Sequence, residues 1–176
     1  MWTILYLVSI IAANVITAKF APIVLGDMIV PCGSFLIGAT FVFRDFTQNQ
    51  IGKSNTYKVI ALALFLSGVT SYFLGDGLYI AFASLIAFLL SETSDTEMYS
   101  RLKMKMEYKV LYSGIVGGAL DSVVFVVVGL SPIGLNVLSW NQVILAIIGQ
   151  MVVKTVMQFI ALLVIKAVQG RARRTY

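Results

Sequence analysis

Val143–Ile165 is an apolar run long enough to cross a bilayer, and it carries Lys154 near its middle. A hydrocarbon core needs about 20 helical residues. A lysine at its midplane costs roughly 3 kcal/mol on insertion scales, so it faces protein or a water-filled cavity and has a partner. Gln150 and Gln158 lie one turn to either side, at i−4 and i+4. The preceding apolar run, Val110–Leu130, carries Asp121 near its own middle. At about 1.5 Å per residue, each charge lies roughly 17–18 Å from the point where its span enters. The short connection Ser131–Gln142 favours antiparallel neighbours, which brings the pair within reach. Opposite charges at one depth on adjacent spans call for a buried polar site. The plainer alternative is an ion pair that only sets helix register.

Four further apolar runs precede these two: Trp2–Ala18, Met28–Phe43, Val59–Leu74 and Leu78–Leu90. The chain has 176 residues, of which 59% are hydrophobic and only 12% charged, too little charge for the surface of a soluble domain of this size. The expectation is an all-α integral membrane protein, a compact bundle of six transmembrane helices forming a single domain over 1–176. The short fourth run is expected to continue as helix through Ser91–Tyr99. The first run lacks a basic leader and a clear cleavage site, so it reads as a retained span. Gly75–Asp76–Gly77 and Ser131–Pro132–Ile133–Gly134 carry the punctuation of tight turns. One cysteine, Cys32, excludes an intrachain disulfide framework or a thiolate metal cluster. The absence of histidine removes the commonest general base. No nucleotide-binding motif is present, so an ATPase would have to be a separate chain, and the sequence does not imply one. The pattern implies neither an enzyme nor a cofactor nor a metal.

Eleven of the thirteen basic residues fall on one side of this arrangement. Arg44, Lys53 and Lys58 follow the second run; Arg101, Lys103, Lys105 and Lys109 follow the fourth; Lys166, Arg171, Arg173 and Arg174 follow the sixth. Lys19 alone lies opposite. The positive-inside rule then places both termini and the segments Arg44–Lys58 and Ser91–Lys109 in the cytosol of a cell (inner or plasma) membrane. The same bias accounts for the net charge of +5 without nucleic acid, because these residues are juxtamembrane.

Polar residues recur on helical faces inside the runs. Asn14 and Thr17 share a face, as do Ser34, Gly38 and Asp45, and Ser67 and Ser71. The two serines, next to Gly68, read more readily as helix-packing residues than as ligand contacts. Glu92, Asp95 and Tyr99 recur at i, i+3 and i+7. Acidic residues contribute little to topology, so they pair with Arg44, Lys103 or Lys105, or bind a ligand that donates hydrogen bonds. Ser113, Gly117 and Asp121 form one stripe beside Gly114 and Gly118, whose G-x-x-x-G spacing lets a neighbouring backbone come close.

The order of several short motifs resembles the queuosine precursor transporter family, also called the vitamin uptake transporter family. The resemblance rests on Ala13-Asn14-Val15, Gly33-Ser34-Phe35, Phe43-Arg44-Asp45-Phe46, Ile51-Gly52-Lys53, Ser91-Glu92-Thr93-Ser94-Asp95, Tyr99-Ser100-Arg101-Leu102, Ala119–Phe125 and Val153-Lys154. Where that family often shows a fuller acidic motif, this chain has Gln48, Asn49 and Gln50. The resemblance implies about six spans and import of a 7-deazaguanine such as 7-cyano-7-deazaguanine. Such a ligand is flat and neutral. Its N1–H and exocyclic amine form a donor pair for one carboxylate, its O6 accepts, and its face stacks on aromatic rings.

Asp121 or Glu92 could read the donor edge, and Asn14, Gln150 or Lys154 the acceptors. Phe35, Asp45 and Asp95 complete the candidate substrate-binding set. Another purine-like or vitamin-like substrate is the first alternative, and a non-transporting membrane scaffold is the second. The expected partners are the small molecule and the bilayer; a homo-oligomer is compatible with the pattern. For the orientation, a reporter fused after Tyr176 should read as cytosolic. A cysteine at Ser54, introduced with Cys32→Ser, should resist labelling from outside; external labelling there contradicts this orientation.

Overall fold

The computed structural model describes residues 1–26, 28–75 and 77–172, with side chains described as far as Ala167. Arg173, Arg174 and Tyr176, and Asp76 within the expected turn, lie outside the described residues. Six α-helices are present: α1 (Trp2–Lys19), α2 (Ser34–Ile51), α3 (Lys53–Leu74), α4 (Leu78–Arg101), α5 (Met106–Val124) and α6 (Trp140–Ala172). A π-helical turn, Phe125–Leu130, continues α5. The all-α expectation misses one element. Strands β1 (Ile23–Leu25) and β2 (Met28–Val30) pair antiparallel, with Ile23 opposite Val30 and Leu25 opposite Met28. Gly26, at φ 62°, supplies the left-handed backbone that such a tight turn requires. The hairpin docks on α6 at Gly149, where a Cβ would lie 2.9 Å from the Cβ of Met28.

The apolar run Met28–Phe43 is therefore not a span as it stands. Its first three residues are strand, and the helix starts at Ser34 and continues to Ile51. Arg44 is not a loop residue but sits inside α2, and its side chain is completely buried. The segment Arg44–Lys58 contains only Gly52 outside helix, at φ 80°. The segment Ser91–Lys109 is also largely helical. As expected, α4 runs through Ser91–Tyr99, and it ends at Arg101.

Five helices are long and apolar enough to cross a membrane: α1, α3, α4, α5 with its π turn, and α6. Helix α2 falls short because its second half holds Arg44, Asp45, Gln48, Asn49 and Gln50. The packing explains why this is tolerated. Helix α2 touches all five others, which follow one another around it in the order α1, α3, α4, α5, α6. None of residues 33–48 is exposed. The outer helices turn Leu62, Phe65, Phe73, Ile144, Val156 and Leu163 outward instead.

Lipid is as apolar as a leucine side chain, so close backbone approach and polar contacts hold such a bundle together rather than apolar burial. Gly38 lets α2 lie against the Lys154 carbonyl and Met157 of α6. On α5, Gly114 receives the Gln158 amide, Gly117 receives Asp95 and Phe41, and Gly118 receives Phe41 and the Lys154 stem. The side chain of Gln158 donates to the Val110 carbonyl at 2.6 Å. Gly38→Val should therefore lower thermal stability in detergent by about 1–3 kcal/mol through overpacking. Gly68→Ala, whose Cβ would meet only Leu85 at 3.7 Å, should be neutral or better.

Candidate functional site

All six helices, with the segment before α2, line one cavity of about 100 Å³. Asn14 comes from α1, Ser34 and Ile37 from α2, Ser67 and Ser71 from α3, Ser84 and Phe88 from α4, Asp121 from α5, and Gln150 and Lys154 from α6. Phe125, the first residue of the π turn, adds an aromatic wall one turn beyond Asp121. A π turn widens the helix locally and recurs at functional positions.

Lys154 is the polar centre of the wall. Its ammonium donates to Asp121 Oδ2 at 2.7 Å, to Ser122 Oγ at 2.8 Å and to Gln150 Oε1 at 3.2 Å. Lys154 is 3% exposed and Asp121 17%. The two midplane charges thus meet as their depths imply. Asn14 shares the cavity but not this network, since its amide donates to Ser67 Oγ at 2.8 Å.

Asp45, Glu92 and Asp95 do not reach the cavity lining. They surround Arg44 in a second buried layer. Arg44 Nη2 pairs with Asp45 Oδ1 at 2.7 Å and with Asp95 Oδ2. Nη1 donates to the Glu92 carbonyl at 3.1 Å and to Thr96 Oγ1 at 2.6 Å. The Tyr6 hydroxyl donates to Glu92 Oε2 at 3.0 Å, and Ser113 donates to Asp45 Oδ2 at 3.3 Å. The layer therefore joins α1, α2, α4 and α5. The same helices build both layers: Tyr6 lies four residues from Ile10, Arg44 seven from Ile37, Glu92 four from Phe88 and Ser113 eight from Asp121. At about 1.5 Å per residue, the layers stack roughly 6–12 Å apart along the bundle axis.

The Arg44 layer lies on the side of the cavity nearer the basic end. There Lys53 pairs with Glu97 at 2.6 Å, Arg101 with Glu97 at 3.5 Å and Lys166 with Glu107 at 3.1 Å. Trp2 packs on Phe46 at the same end, with ring centroids 4.7 Å apart.

Residues 69–168 match the family model described as "Putative vitamin uptake transporter". The chain belongs to that family. It is a multi-pass membrane protein of a transporter family. Neither a curated protein nor a solved structure matches it. The matched region contains Glu92, Asp95, Asp121, Gln150 and Lys154, whereas Asn14, Phe35 and Asp45 precede it.

Of the eight residues expected to touch substrate, Asn14, Asp121, Gln150 and Lys154 line the cavity; Phe35 is absent from the lining, although its neighbour Ser34 is present. Phe88 and Phe125 are not among the residues expected from the sequence, and Ser67 and Ser71, expected more readily in packing than in ligand contact, line the cavity as well. Phe88 had a legible signal, four residues before Glu92 on one helical face. Phe125 had the same kind of signal, four residues after Asp121 on one face of α5.

Removing Arg44 leaves three carboxylates crowded and buried without their cation. Arg44→Met should destabilise the protein by about 3–5 kcal/mol or prevent its accumulation. Arg44→Lys should recover little, because a lysine cannot hold the forked contacts to Asp45, Asp95, Thr96 and the Glu92 carbonyl. Denaturant unfolding in detergent, together with yield, measures both.

Proposed function

We propose that this chain imports a queuosine precursor, 7-cyano-7-deazaguanine or a close 7-deazaguanine, into the cytosol. The observation that carries the reading is the cavity lined by all six helices, with the Lys154–Asp121 pair set in its wall. A purely structural pair would sit in a closed, dry interior. Here the pair borders open space together with Asn14, four serines, Phe88 and Phe125, an apolar pocket with a few placed polar groups. At about 100 Å³ the cavity is smaller than the roughly 300–1,000 Å³ of ordinary ligand pockets, so in this reading the helices move apart to seat the ligand. A flat, neutral heterocycle with polar edges matches these walls.

In this reading α2 is the sixth crossing, admitted to the membrane because protein surrounds it. Its 18 residues span about 27 Å, close to the thickness of a hydrocarbon core. The basic end with Lys53, Arg101 and Lys166 faces the cytosol. The Arg44 layer then closes the cytosolic side of the cavity. Import requires those contacts between α1, α2, α4 and α5 to rearrange.

Expression of the chain should restore queuosine in tRNA of cells that lack both precursor synthesis and their own importer. No restoration, with protein confirmed in the membrane, rejects this substrate. Asp121→Asn and Lys154→Met should each abolish uptake and lower protein level, since each leaves a buried charge unpaired. The double variant should regain normal protein level but not uptake. Recovery of both would make the pair structural.

A further inference from the structure

The hydrogen-bond inventory of Lys154 decides which residues can meet a ligand. An ammonium has three N–H donors and no acceptor. Lys154 uses all three, on Asp121 Oδ2, Ser122 Oγ and Gln150 Oε1. No N–H of the lysine is left for a bound molecule.

The same inventory orients Gln150. Only the oxygen of its amide can accept from an ammonium, so Oε1 must face Lys154 and the NH2 group must face away. Gln150 is 2% exposed, lines the cavity, and its Nε2 has no hydrogen-bond partner among the described residues. A buried amide NH2 without an acceptor carries a full desolvation penalty. Asp121 commits Oδ2 to the lysine, which leaves Oδ1 as its free acceptor. Because both groups bind one ammonium, they are near neighbours. Among the described residues, Asp121 and Lys154 are the only charged ones in the lining, and their charges cancel.

We propose that Gln150, not Lys154, reads a hydrogen-bond acceptor on the ligand, and that the site selects an uncharged ligand offering a carbonyl-type acceptor beside an N–H donor. Lys154 holds the Gln150 amide in place, and Asp121 takes the ligand's N–H. A cyclic amide (lactam) in a heterocycle carries both groups side by side. A carboxylate or a quaternary cation would enter with a charge the lining cannot pair, a heavy cost in a low-dielectric interior. This inference rests on the cavity being the transport site, but it does not depend on the ligand being a 7-deazaguanine.

The test is direct binding to the purified full chain in detergent by titration calorimetry. The probes are 7-cyano-7-deazaguanine, hypoxanthine, 7-deazaadenine (which lacks the carbonyl), nicotinate and thiamine. Wild type should bind a neutral lactam at least about tenfold more tightly than 7-deazaadenine, nicotinate or thiamine. Gln150→Met should weaken lactam binding about tenfold or more and leave 7-deazaadenine unchanged, which a general loss of structure would not do. Equal lactam binding by Gln150→Met and wild type overturns the proposal, as does tighter binding of nicotinate or thiamine.

If Gln150→Met does not fold, the wild-type preference for lactam over 7-deazaadenine decides alone, and equal affinity overturns the inference. Binding of hypoxanthine but not of 7-cyano-7-deazaguanine, with the Gln150 dependence intact, rejects the queuosine-precursor reading and upholds this one. No binding of either lactam overturns this one.

Discussion

A guanidinium with no solvent exposure, inside a chain made largely of apolar residues, is the constraint on which this architecture depends. Arg44 cannot be deprotonated and cannot face lipid. It needs acceptors at the same depth, and the oxygens close to Nη1 and Nη2 come from α2 and α4, with α1 and α5 supporting the carboxylates. Enclosing Arg44 means enclosing α2, and five apolar helices around α2 follow from that. The ring then has an outer surface for lipid and an inner surface for polar chemistry.

Enclosure requires that helices approach closely, and the glycines make this possible. Gly38 on α2 and Gly114, Gly117 and Gly118 on α5 are occupied by neighbouring backbone or by the side chains of Gln158, Asp95, Phe41 and Lys154. Small residues serve here as recesses for the polar and aromatic groups of facing helices. Packing and polar satisfaction are therefore coupled, since a methyl group at Gly114 or Gly117 would press on the buried side chain of Gln158 or Asp95.

The two polar layers differ in kind. Around Arg44 the charged groups face one another and span four helices, which suits closure. Around Lys154 the charges cancel within the wall, and the Gln150 amide NH2 is left without a partner among the described residues. A saturated lysine fixes the orientation of the Gln150 amide beside it. The π turn begins at Phe125, one turn after Asp121, so an irregularity of α5 borders the cavity.

The sequence by itself determined the membrane class, the helix-rich fold, the shared depth of Asp121 and Lys154, and the helical continuation through Ser91–Tyr99. These follow from local quantities: run length, the rise per residue and the cost of a midplane charge. The family could also be read from the chain, through short motifs in a fixed order. Tertiary structure decided the rest. A hydropathy reading sees charges after an apolar run as a loop, so Arg44 read as a cytosolic residue; of the helices packed around α2, α6 lies about a hundred residues or more along the chain from Arg44. The hairpin before α2 was hidden because strand and helix segments only three residues long look alike in an apolar run. The division of Asp45, Glu92 and Asp95 from Asn14, Asp121, Gln150 and Lys154 into two layers depended on which helices became neighbours. The spacing along each helix sets the depth of each group, but which groups meet at that depth is a property of packing.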